Sequence, residues 1–125
     1  MKTIFFSILA VSLAGVAHAQ PPASGEIGYS QGSLGYDALI AGDNSRAIAQ
    51  IMANERVNRN DPARLINLGQ AYARTGRTAE AAQLFTTAME SRDQIDLILA
   101  DGKVMNSREA AKQALAKLQS RVASR

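Results

Sequence analysis

The chain has no cysteine and no tryptophan, and its single histidine, His18, lies in an N-terminal segment patterned as an export signal. Lys2 gives that segment a positive start, Ile4–Val16 is an apolar run, and Ala17-His18-Ala19 is a small-x-small cleavage site. A cut between Ala19 and Gln20 leaves a chain with neither imidazole nor thiol. That excludes Ser-His and Cys-His nucleophilic pairs, histidine or thiolate zinc sites, and disulfides. Lipid attachment to a cysteine after the cut is excluded as well. The apolar run falls short of the roughly 20 residues of a membrane-spanning helix, and no second run follows. The expectation is a soluble periplasmic or secreted protein with no stable membrane anchor after cleavage.

An excess of one charge is also missing. With Lys2 set aside, thirteen basic side chains stand against eleven acidic ones, interspersed along the chain. The aromatics beyond the signal are only Tyr29, Tyr36, Tyr72 and Phe85. A nucleic-acid binder of this size carries a denser basic stripe, often with aromatic platforms, so no nucleic-acid partner is expected. The acids fare no better as a metal or catalytic site. Asp93, Asp96 and Asp101 miss the alternate-position ligand spacing of a calcium loop and have no glutamate at its twelfth place. They fit turn and capping roles instead. Glu80 and Glu90 sit ten residues apart on one expected helix, about 15 Å along its axis, too far for paired acid–base work on one bond. Ser107 has no base partner and reads as a helix cap. No enzyme, metal or cofactor is expected.

What is present is helical patterning. Residues 20–32 are rich in proline, glycine and serine and read as a flexible leader. Leu34, Ala38 and Leu39 then fit one face of a short helix capped by Ser33 and stopped by Gly42. Asp43 or Asn44 caps a second helix, with Ala47, Ile48, Ile51 and Met52 as its buried stripe. Asp61-Pro62 is the sharpest start signal, an N-cap followed by a proline whose missing N–H costs nothing in the first turn. Leu65, Leu68, Gly69 and Tyr72 recur at helical spacing up to Gly76. Thr78 caps a fourth helix with Ala81, Ala82, Phe85, Ala88 and Met89 inward. The small residues Gly69, Ala81 and Ala88 let two helix backbones approach closely, as in an antiparallel helical hairpin.

Sliding the chain by 34 residues exposes an internal repeat. Leu34-Gly35 falls on Leu68-Gly69, Gly42 on Gly76, Ala47 on Ala81 and Ile51 on Phe85. Residues 61–93 place Leu65, Leu68-Gly69, Tyr72, Ala81, Phe85 and Ala88 at the intervals of a known helix-pair consensus. The segment resembles the tetratricopeptide repeat. It departs at Leu65, where the family often has tryptophan, and at Asp93, where it often has proline. The earlier unit, 33–58, is degenerate. Ala38 replaces the tyrosine, and Gly28, Gly32 and Gly35 argue against a long first helix.

The C-terminal part breaks the period. Asp101-Gly102 between β-prone runs is a hairpin signal for residues 93–106. A two-residue turn pairs Leu99 with Val104 and puts Ile95, Leu97, Leu99 and Val104 on one face. The competing arrangement extends the fourth helix through Ala100. A last helix over 107–122, capped by Ser107, has Ala111, Leu115, Leu118 and Val122 as its stripe. Two helix pairs fall below the roughly three repeats that stacking normally needs, so the hairpin and last helix are expected to cover the array's open side. The fold class is thus mainly α: two antiparallel helix pairs, one firm and one degenerate, with a β-hairpin and a capping helix.

Arg64, Asn67, Gln70 and Arg74 lie opposite the Leu65–Leu68–Tyr72 stripe, which predicts a solvent-facing row. In tetratricopeptide arrays the first helix of each pair lines a concave surface that holds a partner's extended peptide. The resemblance therefore implies Asn67, Gln70 and Arg74, with Tyr36 and Ile40 of the degenerate unit, as partner-binding residues. An ordinary solvated helix face would account for the same row. The family's carboxylate clamp is not reproduced, because Ile66 and Gly32 stand where its cations would be. The expected function is a non-catalytic, exported interaction module for a protein or peptide partner. A self-assembling structural protein is the alternative.

Overall fold

The computed structural model describes residues 28–125. The expected signal, with its cut at Ala17, Ala19 and Gln20, and the leader up to residue 27 lie outside the described residues. The described chain is mainly helical, with one two-stranded antiparallel sheet. In order it forms α1 (Tyr36–Ile40), α2 (Asn44–Ala53), α3 (Pro62–Arg74), α4 (Thr78–Glu90), β1 (Asp96–Ile98), β2 (Val104–Asn106) and α5 (Ser107–Ala123). No helix among the described residues is long and apolar enough to cross a membrane.

The start of α3 follows the local chemistry closely. The Asp61 carboxylate accepts the Arg64 N–H at 3.0 Å, and Pro62 opens the helix. Its end is a glycine stop: Gly76 sits at φ +83°, and the Arg77 N–H donates back to the Tyr72 carbonyl at 2.9 Å. Asp43 caps α2 by accepting the Arg46 N–H. Other caps differ from the sequence expectation. Gly35, not Ser33, precedes α1 in a left-handed conformation. Arg77 rather than Thr78 precedes α4, without a side-chain cap bond.

Ser107 is a more instructive correction. Asn106 caps α5 by accepting the Arg108 N–H, and Ser107 is fully buried as the first helical residue. Its hydroxyl accepts the Ile95 N–H at 3.1 Å and donates to the Gln94 amide oxygen at 3.1 Å. The Ser107 N–H in turn donates to the Ile95 carbonyl at 2.7 Å. A serine with the spacing of a cap instead ties the head of the hairpin to the head of the last helix.

Packing centres on the α3–α4 pair. An added Cβ at Gly69 would lie 2.6 Å from the Phe85 ring, so only glycine lets that ring seat against the α3 backbone. Phe85 is 1% exposed, a burial that contributes roughly 1.5–3 kcal/mol of transfer free energy. Ala114 and Leu118 of α5 join Ala73, Ala81 and Phe85 in one cluster. Ala111 joins Leu65, Ile66 and Ala88 in another, with Leu97 of β1 packed beside it. The last helix therefore lies directly on α3 and α4.

Three apolar residues expected inside are outside. Met52, Val104 and Val122 are all more than half exposed. Val104 has a definite cause, a one-residue difference in register. Leu97 pairs with Met105 and Ile98 with Val104. The turn is three residues long, Ala100–Gly102, with Gly102 at φ +81° and its N–H donating to the Leu99 carbonyl. A three-residue hairpin loop closed by a left-handed glycine is a common hairpin connection. Because side chains alternate, the extra residue turns Val104 outward and puts Met105 on the face of Leu97 and Leu99. On α5 the buried stripe is Ala111, Ala114 and Leu118, with Leu115 only half-buried.

Candidate functional site

One face of α3 carries Ala63, Ile66, Asn67, Gln70 and Arg74, at the i, i+3, i+4, i+7, i+11 spacing of a single helical stripe. Opposite it, α5 presents Ala110, Gln113, Ala114 and Lys117 at the same kind of spacing. Between these walls runs a groove of about 250 Å³. Tyr36, Leu39 and Ile40 of α1 border it, as do Leu97–Ala100 and Met105 of the hairpin. All five residues proposed from sequence (Tyr36, Ile40, Asn67, Gln70 and Arg74) line this one concavity.

Their surroundings differ from the solvent-facing row expected. Asn67 donates from its side-chain amide to the Leu34 carbonyl at 3.0 Å, and Arg74 donates to the Leu39 carbonyl at 2.9 Å. Arg64 is buried at 5% exposure, with its guanidinium donating to the Asn54 carbonyl at 2.7 Å. These three side chains hold α3 to the backbone of the first unit. Asn67 and Arg74 thus shape the groove as well as line it. Gln70 makes no side-chain hydrogen bond among the described residues, which leaves its amide available to an occupant. Ile40 is 61% exposed and offers apolar surface at the rim.

The lining is apolar with three amide side chains and two cations, Arg74 and Lys117, and it contains no carboxylate. Neither cation forms an ion pair among the described residues. No cluster of three potential metal-ligating side chains occurs among the described residues. Chemically, the groove offers apolar contact, amide hydrogen bonds and attraction for negative charge.

The perturbed titrations lie elsewhere. Burial, with help from the hydrogen bond it donates to Asp61 at 2.8 Å, pushes the Tyr29 hydroxyl well above its ordinary value. On the surface, the Arg77 guanidinium bonds both oxygens of Glu80, lowers that carboxyl, and stacks 4.1 Å from the Tyr72 ring centre. None of these residues lines the groove.

Sequence reasoning missed the walls that the hairpin and α5 contribute. A second stripe on α5, beside the Ala111–Leu118 one, carried the signal for Gln113 and Lys117. Nothing local placed Leu97–Ala100 there, because the docking of a hairpin is a tertiary event. Comparison of the chain with protein-family models, with curated proteins and with solved structures finds no match.

Proposed function

We propose that the protein is a non-catalytic interaction module of tetratricopeptide type, exported to the periplasm or beyond, whose groove holds a protein or peptide partner. The observation that carries this reading is the convergence of Tyr36, Ile40, Asn67, Gln70 and Arg74 on one concavity. The family's concave surface implies those residues, and they come from α1 and α3, which α2 separates in the chain. The 34-residue offset adds support. Gly35 approaches Ala47 and Ile51, as Gly69 approaches Phe85. Export rests on Lys2, the Ile4–Val16 run and the Ala17-His18-Ala19 site.

A photoreactive amino acid at Gln70, compared with one at the exposed Lys112 outside the groove, tests the reading in the producing cell. One adduct of defined mass from Gln70 and none from Lys112 is expected. Equal labelling at both positions, or none at Gln70, would contradict it. The self-assembly alternative draws on α2, whose Met52 is 56% exposed at the end of the helical stack. It predicts an adduct of twice the chain's mass and a dimer by light scattering. The intact mass of the exported protein should correspond to a chain beginning at Gln20.

A further inference from the structure

The groove is bordered by a strand as well as by helices, and the geometry of that strand narrows the kind of partner. The Leu99 N–H donates to the Lys103 carbonyl and the Ser107 N–H to the Ile95 carbonyl, at 2.8 and 2.7 Å. Ile95, Leu97 and Leu99 therefore spend their backbone groups toward β2. By the alternation of an antiparallel ladder, the N–H and C=O of Asp96 and Ile98 point away from it. Among the described residues the sheet has two strands, so that outer edge of β1 meets no third strand there. Successive strand side chains face opposite ways, yet Leu97, Ile98, Leu99 and Ala100 all line the groove. A groove that touches consecutive residues runs along the strand's edge, not only over one face.

We propose that the occupant is an extended, acidic-apolar peptide of a partner protein that adds to β1 as a third strand. The proposal rests on the reading of this groove as the partner site. Backbone hydrogen bonds to Ile98 and Asp96 supply affinity, and alternate apolar side chains enter the space between Ile66 and Leu97. Charge complementarity selects the acidic end: the lining holds Arg74 and Lys117, without an ion-pair partner among the described residues, and no carboxylate. A three-residue strand is too short to recruit another chain by edge pairing alone, so the helical walls and the cations confer the selectivity.

The test uses the exported protein, isotope-labelled, and a pool of octapeptides alternating Val, Leu or Ile with Thr or Glu and ending in Glu. Addition of the pool should shift and slow the exchange of the Ile98 amide, with accompanying shifts at Gln70 and Lys117. Methylating alternate peptide nitrogens of a selected binder should weaken it by about tenfold or more in one register and little in the other. Replacing the terminal Glu by Lys should weaken it further. Binding at Gln70 that is indifferent to methylation in both registers would overturn strand addition while leaving the groove reading intact. Absence of any response to the pool would also overturn it, and crosslinking at Gln70 then decides the groove reading separately. Protection of Ile98 without peptide would overturn it too. In that case a dependence on protein concentration assigns the edge to a second copy, and independence assigns it to the chain's own N-terminal residues.

Discussion

Residues 34–53 and 68–90 make the same close approach with different backbones. In the later unit Gly69 lies inside the thirteen-residue α3, and the Phe85 ring of α4 sits against it. In the earlier unit Gly35 precedes the five-residue α1 at φ +61°, and an added Cβ would stand 3.0 Å from the Ala47 carbonyl oxygen and 3.1 Å from Ile51. Leu34, Ala47 and Ile51 are as fully enclosed as Leu68, Ala81 and Phe85. What recurs along the chain is thus a packing contact, and the long helix that normally presents it is dispensable. The first unit compensates by borrowing. Asn67, Arg74 and Arg64 of α3 satisfy three of its backbone carbonyls.

The two units differ most at their glycines. Gly69→Leu should cost more than about 3 kcal/mol, since overpacking outweighs the roughly 1 kcal/mol gained in helix propensity. Gly69→Ala should be milder and partly rescued by Phe85→Leu, which withdraws the rigid ring. Gly35→Ala should cost about 1–2 kcal/mol from its left-handed backbone, with no rescue by Ile51→Val. Denaturant midpoints of the five variants measure this, and equal rescue in both units would show that the two contacts are of one kind.

The caps of the two units differ as well. Asp43 holds only the Arg46 N–H, whereas Asp61 holds the Arg64 N–H and accepts the Tyr29 hydroxyl. Asp43→Ala should cost about 1 kcal/mol and Asp61→Ala about 2 kcal/mol, by chemical unfolding near neutral pH.

The smallest effect is a pH dependence. Tyr29→Phe should cost about 1 kcal/mol at neutral pH. The Tyr29 hydroxyl is raised in the folded state, so its contribution is whole below the unfolded value of about 10 and is lost as pH climbs through the folded value. Between about pH 8 and about pH 11 the parent chain should therefore lose more stability than Tyr29→Phe. An identical loss in both would remove Tyr29 from the account.

The two units were also unequally legible in the sequence. The α3–α4 pair announces itself through Asp61-Pro62, Gly76 and the Gly69–Phe85 spacing, all local signals. The hairpin's existence was readable from Asp101-Gly102, but its register was not, because the same dipeptide closes two- and three-residue turns and only the pairing distinguishes them. Ser107 was misread because its buried partners, Ile95 and Gln94, lie 12 and 13 residues away. Five groove residues followed from a resemblance to a concave helical surface. The structural duty of Asn67 and Arg74 did not, since their acceptors are backbone carbonyls 33 and 35 residues earlier. No side-chain pattern encodes such a bond.

What closes the α3–α4 pair is α5, which supplies both Ala114 and Leu118 to the core around Phe85 and the Gln113–Lys117 wall of the groove. The most direct test of that claim is the solution behaviour of the exported chain cut after Arg92. Without residues 93–125, Phe85, Ala81 and Ala88 lose the cover of Ala111, Ala114 and Leu118, and Leu65 and Ile66 lose that of Leu97. Circular dichroism and light scattering on this 20–92 fragment should show an aggregating or largely unfolded chain. A soluble monomer that melts cooperatively would contradict the claim and make the hairpin and last helix an appendage to a self-sufficient pair of units.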